Sequence, residues 1–299
     1  MSARDRGVGM PVADDPRPEM LQPFTQTISP DRARAARAHY GRCMLCEHRC
    51  GANRLAGETG PCKAGAVPRV FRHRVEYGEE LDLVPSHLFY LSGCDLRCAF
   101  CIAGANAFDP TRGRELTSEF FNEAVAWGRA QGARNVQWVG GEPTIHLPHL
   151  LDVMSRCNEL PPVVWKSDFH CTPEALALLD GVADVYVADF KFGNDACAKQ
   201  LAGVTDYLRI VTRNLSLATR QHARLIVRHL LLPGHYECCF VPVARWMREN
   251  LPEIEFSLRD GYLPAWRAQR IPGLDRPNSS ADAIAAREFV ERIGLRVIE

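Results

Sequence analysis

The sequence lacks an excess of charge of either sign, because 36 Lys and Arg residues balance 36 Asp and Glu residues in a chain of 299. A chain without a net field has no global electrostatic attraction for nucleic acid or for an anionic membrane surface. We therefore expect neither as a partner, and expect a small-molecule or protein substrate instead.

Long hydrophobic runs are missing as well. The opening stretch, MSARDRGVGMPVADDPRP, has no apolar segment of the signal-peptide kind, and no apolar run approaches the roughly 20 residues of a membrane helix. These absences predict a cytoplasmic protein. Twelve cysteines are many for a reducing compartment, where disulfides rarely persist, so metal binding or redox chemistry is expected of them.

Three regions differ in composition. Residues 1–35 are rich in Pro, Asp and Arg and are predicted to form a disordered tail. Residues 36–80 hold four cysteines with little apolar periodicity and are predicted to be a small cysteine-rich, metal-binding module. Residues 81–299 alternate strand-like and helix-like segments, including a helix from Ser118 to Gln131 with Thr117 or Ser118 as its N-cap. About six strands are expected, so this α/β region is predicted to be a partial (β/α)6 TIM-like barrel.

The segment YLSGCDLRCAFCIAG places three cysteines after a predicted strand, where α/β proteins collect their active sites: Cys94, Cys98 and Cys101. Thiolates at this spacing can converge on one centre, whereas a disulfide would leave the third unpaired. A [4Fe-4S] cluster held by three cysteines keeps one iron open for chemistry. Buried structural cysteines, or a zinc site completed by a distant histidine, are the alternatives.

Two further segments follow predicted strands. GGEP supplies Gly140, Gly141 and Glu142, which suit a close backbone approach and an ammonium group, and which also suit a tight turn. In DVYVADFKF, strand alternation sends Asp189 and Lys191 to the same face, as a shared site or a surface ion pair requires.

These segments resemble the radical S-adenosylmethionine (SAM) superfamily, and within it the pyruvate formate-lyase activating enzymes and their uncharacterised relatives, over about Cys43 to Leu232. The resemblance implies that the three cysteines bind a [4Fe-4S] cluster whose open iron binds SAM. It also implies which residues contact SAM, namely Phe100 beside the adenine, Gly140, Gly141 and Glu142 at the amino group, Asp189 and Lys191 at the ribose and carboxylate, with Ser167 and Arg228 nearby.

The activity implied by the resemblance is reductive cleavage of SAM to a 5′-deoxyadenosyl radical, which abstracts a hydrogen atom from a substrate. Activating enzymes suggest a glycyl residue of a partner enzyme, with an electron donor of the flavodoxin or ferredoxin type. The segments IAGANAF and GEPTIH depart from those relatives, so modification of a peptide or a small metabolite is the alternative. A zinc-binding interaction protein without turnover is the alternative from a different class.

The remaining candidates are less specific. The segment CMLCEHRCGANRLAGETGPC supplies Cys43, Cys46, Cys50 and Cys62, a closed set that suits either structural zinc or a second Fe–S cluster. His146, His229 and Cys171 follow predicted strands and are candidates for proton transfer or for contact with the site, with buried structural roles as the alternative. The other cysteines are predicted to be core or helix-surface residues: Cys157, Cys197, Cys238 and Cys239.

Overall fold

The computed structural model describes residues 28–78 and 80–298. In this part of the chain one sheet has the strand order β3-β1-β2-β4-β5-β6-β7-β8-β9. The strands are Arg69–Glu76 (β1), Ser86–Leu91 (β2), Arg114–Glu115 (β3), Asn135–Gly140 (β4), Val163–Ser167 (β5), Val185–Asp189 (β6), Arg224–Leu230 (β7), Glu255–Arg259 (β8) and Val297–Ile298 (β9). The helices are Pro30–Arg37 (α1), Ala105–Phe108 (α2), Ser118–Ala130 (α3), Leu147–Ser155 (α4), Pro173–Ala177 (α5), Asp195–Ala202 (α6), Tyr207–Ala218 (α7), Val241–Asn250 (α8) and Ser280–Arg292 (α9).

Parallel pairing runs through most of the sheet. Every neighbouring pair from β2 through β4 to β9 is parallel, whereas β1 pairs antiparallel with β2, and β3 pairs antiparallel with β1. Among the described residues β3 and β9 stand at opposite edges of the sheet. The predicted α/β fold with a partial, unclosed barrel is confirmed, and the sheet of the described residues adds β1, β3 and β9 to the six expected strands.

The central strands form because their residues are apolar on both faces, as a parallel sheet covered by helices requires. In β6 every residue except the last, Asp189, is buried. Helix α3 begins as predicted, with Thr117 accepting a hydrogen bond from the Phe120 amide at 3.1 Å. Its Phe121 stacks on Trp138 of β4, with ring centroids 5.2 Å apart. The strands therefore end in fixed positions at one edge of the sheet.

The predicted tail is wrong for residues 28–35, because α1 begins at Pro30. Ser29 caps this helix by accepting a hydrogen bond from the Arg32 amide, and proline suits the first helical position. Ala33 and Ala36 are buried in the main core, so a short apolar stripe holds a helix that is otherwise charged. The rest of the predicted tail, residues 1–27, lies outside the described residues.

The cysteine-rich segment joins the barrel through buried contacts. Tyr40 and Leu45 belong to the main hydrophobic core. The guanidinium of Arg54 is stacked on Tyr40 at 4.2 Å and donates hydrogen bonds to the carbonyls of Gly65 and Ile145. The sheet crosses the predicted boundary at residue 80, since β1 pairs with β2. None of the helices among the described residues is both long enough and apolar enough to cross a membrane.

Candidate active site

The three-cysteine loop begins directly after β2, at the carboxyl edge of the parallel sheet. Its backbone is anchored to the end of α6, with the Arg97 amide 2.8 Å from the Ala202 carbonyl and the Ala99 amide 2.7 Å from the Leu201 carbonyl. All three thiols are free of disulfides, and burial raises the pKa of each above its usual value. Thiolates without a cation would be costly in this environment, whereas iron can take the place of their protons. The donor set therefore fits an Fe–S cluster.

The glycine pair lies against the start of this loop. The Gly141 amide donates to the Leu91 carbonyl at 2.7 Å, and the Glu142 amide donates to the Gly93 carbonyl at 2.9 Å. A Cβ atom on Gly141 would lie only 1.7 Å from the Gly93 carbonyl oxygen. Gly140 has a φ of +118°, a conformation that L side chains rarely adopt. The glycines are thus required by the close contact between the ends of β2 and β4.

Three buried carboxyl groups lie beside the loop, and we call Asp95, Glu142 and Asp168 the acidic group. Glu142 accepts hydrogen bonds from the Thr144 amide (2.9 Å), the Ser167 hydroxyl (2.8 Å) and the Asp168 amide (2.9 Å). The Cys94 sulfur and one carboxyl oxygen each of Asp95 and Asp168 lie within 4.8 Å of one another.

The electrostatics of the acidic group favour a cationic ligand. Burial, followed by the charge of Asp95, raises the pKa of Glu142 to about 7 and raises the pKa of Asp168 well above its usual value. Oδ1 of Asp95 is buried without a hydrogen-bond partner. Buried carboxyl groups that repel one another are stabilised in their charged form by a nearby cation.

Two basic side chains and one acidic side chain lie at the ends of β6 and β7. We call Asp189, Lys191 and Arg228 the cationic group. Asp189 and Arg228 are paired across the two strands, and the Nε atom of Arg228 lies 2.7 Å from Oδ1 of Asp189. Lys191 donates to the other oxygen of Asp189. Burial acts to raise the pKa of Asp189, but Arg228 and Lys191 hold it well below its usual value. Two of the three side chains are therefore cations, and Asp189 is hydrogen-bonded to both.

The cationic group and the acidic group meet at the cysteine loop. The Lys191 charge lowers the pKa of the Cys98 thiol and of the Asp168 carboxyl, against the larger effect of burial on both. Five consecutive positions in the sheet order, from β2 to β7, therefore contribute to one site that contains both the acidic group and the cationic group.

Two other predicted contacts of SAM are part of this region. Phe100 is buried and meets the Phe192 ring edge-on, with the ring centroids 6.1 Å apart. Ser167 donates to Glu142 and accepts from the Phe169 amide at 3.1 Å, so its hydroxyl orients the carboxyl group. Thus the structure brings together the predicted cluster ligands and SAM contacts.

Three further candidate residues are buried and contact neighbouring segments of the chain: His146, His229 and Cys171. Nε2 of His146 lies 2.8 Å from the Ser92 carbonyl, and Nδ1 of His229 lies 2.7 Å from the Phe190 carbonyl. Burial lowers the pKa of these histidines to about 3 and about 4. Cys171 forms an isolated β-bridge with Cys46 of the front segment. These contacts support the loops, and the roles in proton transfer stay predictions.

The four front cysteines are not gathered into one tight cluster. Cys46 and Cys62 are buried together beside Ile145. Cys50 is exposed to solvent, and its sulfur atom lies next to Gly60. Their four sulfur atoms do not all lie within 4.8 Å of one another, as judged in the described residues. The second metal site at these cysteines stays a prediction.

The sequence-based predictions miss two members of the acidic group, Asp95 and Asp168. Asp168 could have been found, because the segment KSDFH places it directly after the buried strand β5. Asp95 lies inside the cysteine loop, between Cys94 and Leu96, and no strand end marks it. A further group, in which His235 lies among three cysteines, was not predicted from the sequence.

The fold and the site together define an α/β partial-barrel protein with a three-cysteine loop at the mouth of the barrel. The family model described as the Radical SAM superfamily matches residues 88–247. The chain is also 32% identical over 276 residues to the uncharacterized protein MJ0674 of Methanocaldococcus jannaschii, with 87% of this chain and 77% of that protein covered. The chain therefore belongs to the radical SAM superfamily and is a radical SAM enzyme, a class that uses a [4Fe-4S] cluster and SAM.

Solved structures show the same fold. The structure of Streptococcus suis SuiB bound to the precursor peptide SuiA matches with a TM-score of 0.53 and 16% identity, covering 68% of this chain and 46% of that one. SuiB bound to S-adenosylmethionine matches with a TM-score of 0.52 and 16% identity, covering 69% and 47%. The chain thus spans less than half the length of SuiB.

Proposed function

We propose that Cys94, Cys98 and Cys101 hold the [4Fe-4S] cluster, that SAM binds between the acidic group and the cationic group, and that the enzyme abstracts a hydrogen atom from a glycyl residue of a partner polypeptide. The observation that supports this most is the opposed charge of the two groups on either side of the cysteine loop. SAM carries a sulfonium and an ammonium as well as a carboxylate, so its charges complement those of the site.

Each side of the site has its own role in this proposal. Glu142 and Asp168 receive the ammonium of SAM, whose charge offsets the burial and then the repulsion that raise the pKa of both carboxyl groups. Lys191 and Arg228 face the SAM carboxylate and ribose, and Asp189 keeps both cations in place through two hydrogen bonds.

Neutral groups complete the cofactor site. Phe100 offers an aromatic surface to the adenine, and Ser167 orients Glu142. The glycine pair, Gly140 and Gly141, lets the backbone come close to both the loop and the ligand.

Cys94, Cys98 and Cys101 would hold the cluster, which with bound SAM and an electron from a flavodoxin or ferredoxin type of donor would supply the radical chemistry that abstracts a hydrogen atom from the substrate C–H bond. The chain itself binds and orients the cluster, SAM and the substrate, and it excludes water from the site. Cys98 and the acidic group are buried, and Cys94, Cys101 and the cationic group are partly buried, which fits this requirement because a reactive radical must be kept from solvent.

A polypeptide substrate is supported by apolar side chains at the rim of the site. Ile102 directly follows the third cysteine and is 84% exposed. The Trp266 ring packs against Gly104, and its centroid lies 5.7 Å from that of the Phe108 ring. Trp266 is partly exposed. Exposed apolar groups of this kind commonly contact another polypeptide. Glycine as the reacting residue rests on the resemblance to activating enzymes.

Anaerobic reconstitution tests the chemistry. The protein is expected to bind iron and sulfide and to form 5′-deoxyadenosine from SAM under strong reductant. Cys98→Ala is expected to abolish that product, while Cys157→Ala, at a half-buried cysteine outside the site, should retain it. Persistence of the product in Cys98→Ala would show that the cluster assignment is wrong.

The substrate class is tested by isotope transfer. Candidate partner polypeptides labelled with deuterium at the glycine α-carbon are incubated with enzyme, SAM and reductant, and deuterium in 5′-deoxyadenosine is measured. Transfer from glycine supports the proposal. Transfer only from another residue would favour peptide modification, and stimulation only by small metabolites would contradict a polypeptide substrate.

A further inference from the structure

A group of four potential metal ligands lies at the ends of β6 and β7, outside the cysteine loop and outside the front segment. Cys197 is on α6, and the other three follow β7 in the segment HYECC: His235, Cys238 and Cys239. The three sulfur atoms and one imidazole nitrogen all lie within 4.8 Å of one another. Residues distant in sequence therefore present their donor atoms to a single point.

The distances match the edges of a tetrahedron around one ion. Nδ1 of His235 lies 3.6 Å from the Cys197 sulfur, 3.3 Å from the Cys238 sulfur and 3.7 Å from the Cys239 sulfur. The Cys238 sulfur lies 3.9 Å from that of Cys197 and 4.0 Å from that of Cys239. With ordinary zinc bond lengths, a tetrahedron has sulfur–sulfur edges of about 3.8 Å and sulfur–nitrogen edges of about 3.6 Å.

The same distances argue against other uses of these thiols. A disulfide needs its sulfur atoms about 2.0 Å apart, and these cysteines are free. In a [4Fe-4S] cluster each thiolate binds a different iron, so the sulfur ligands are separated by the cube between them. Three sulfur atoms and one nitrogen at tetrahedral spacing are typical of a single zinc ion.

Neighbouring groups hold the ligands in place. Nδ2 of Asn194 lies 3.2 Å from the Cys197 sulfur and 3.8 Å from the Cys239 sulfur, so an amide donor faces two thiolate positions. The same amide donates to the Cys238 carbonyl at 2.7 Å, and Oδ1 of Asn194 accepts from the Cys197 amide at 2.8 Å. Hydrogen bonds to ligand atoms orient them and stabilise the bound ion.

The backbones of the two loops are in direct contact below the ligands. A Cβ atom on Gly193 would lie 2.4 Å from the Cys239 carbonyl oxygen and 2.9 Å from the Cys238 carbonyl oxygen. The loop after β6 and the turn after β7 therefore meet without room for a side chain, and the ligands are fixed at that contact.

We propose that Cys197, His235, Cys238 and Cys239 bind one zinc ion in a closed tetrahedral site that joins the loop after β6 to the turn after β7. Three thiols give up their protons on binding, and the ion is coordinated by three thiolates and the neutral imidazole. Four protein ligands leave no position for substrate, so the role is structural. The site secures the two loops that follow Asp189 and Arg228, and it does not depend on SAM chemistry.

Metal analysis tests the site. Zinc and iron per chain are measured in the purified protein, in the double variant Cys238→Ser/Cys239→Ser and in the control Cys157→Ser. The double variant is expected to lose about one zinc ion per chain without losing iron, and the control should lose neither. Loss of iron with zinc retained, or equal zinc content in all three proteins, would overturn the proposal.

A measurement on the unmodified protein removes the risk that the variant misfolds. X-ray absorption at the zinc edge is expected to show sulfur neighbours at about 2.3 Å together with nitrogen at about 2.0–2.1 Å. A shell of sulfur alone, a shell of nitrogen and oxygen alone, or a disulfide between Cys238 and Cys239 in the isolated protein would contradict the site. In His235→Cys zinc should be retained, whereas His235→Ala should bind it more weakly.

Discussion

Gly141 illustrates, at the residue scale, how closely the two strand ends meet. We expect Gly141→Ala to lower the free energy of unfolding by about 3 kcal/mol, because the added methyl would overlap the Gly93 carbonyl oxygen. Urea denaturation measures this change. Gly261→Ala is the control, since a Cβ atom there meets nothing within 4 Å. Equal stability of the two variants would contradict the contact.

Lys191 should matter for SAM binding and not for cluster binding. We expect Lys191→Met to weaken SAM affinity by at least about tenfold, because a charge-assisted contact with the SAM carboxylate is lost. Equilibrium binding of SAM to the reconstituted protein gives the affinity, and iron content should be unchanged. Lys199→Met, at an exposed lysine of α6, is the control. An unchanged affinity in Lys191→Met would contradict the assigned orientation of SAM.

His87 should contribute to the pH dependence of stability. Burial, and then the charge of His73, lowers the pKa of His87 to about 4 from an ordinary value of 6.5. As the pH falls from about 6.5 to about 4, His87 becomes protonated in the unfolded chain but stays neutral in the folded chain. The free energy of unfolding therefore decreases by up to about 1.4 kcal/mol per pH unit. We expect His87→Gln to flatten this dependence. Parallel curves of unfolding free energy against pH for the two proteins would contradict it.

At this scale the sequence predicts residues whose partners are local. Cys94, Cys98 and Cys101 are recognisable because three cysteines share one short loop. Asp95 and His235 were not predicted, because their importance depends on side chains that the fold brings from other segments. Nothing in the spacing of Cys197 and His235 indicates that their donor atoms meet.

At the scale of the element, the front segment depends on a buried arginine. We expect Arg54→Met to lower the free energy of unfolding by about 3 kcal/mol, because the carbonyls of Gly65 and Ile145 lose a charged donor and become unsatisfied. Chemical denaturation measures the loss. Arg156→Met, which removes an exposed ion pair with Asp152, should cost only about 0.5 kcal/mol. A similarly small effect at Arg54 would contradict its role as an anchor.

The elements differ in how well the sequence predicts them. The central parallel strands are continuous apolar runs, so their positions follow from hydrophobicity alone. Strand β1 carries charged and half-buried residues, RVFRHRVE, because only one of its faces meets the core, and it was not predicted. Helix α1 was assigned to the tail because its two buried alanines give too weak an apolar stripe.

At the scale of the whole molecule, the cysteine loop, the acidic group, the cationic group and the proposed zinc site all follow the carboxyl ends of strands in one sheet. The alternation of strands and helices predicts that arrangement, since a parallel sheet collects its loops at one edge. Which charges face each other across the edge could not be predicted, because this depends on strand order and on side-chain packing.

The most direct test of the central claim is whether SAM binds to an iron of the cluster. Electron paramagnetic resonance spectra of the reduced protein are recorded with and without SAM, and again for Lys191→Met at saturating SAM. An iron left open by Cys94, Cys98 and Cys101 predicts a reduced [4Fe-4S] signal whose g-values shift when SAM is added. A signal that is unchanged by SAM, or the absence of any reduced cluster signal after reconstitution, would contradict the account.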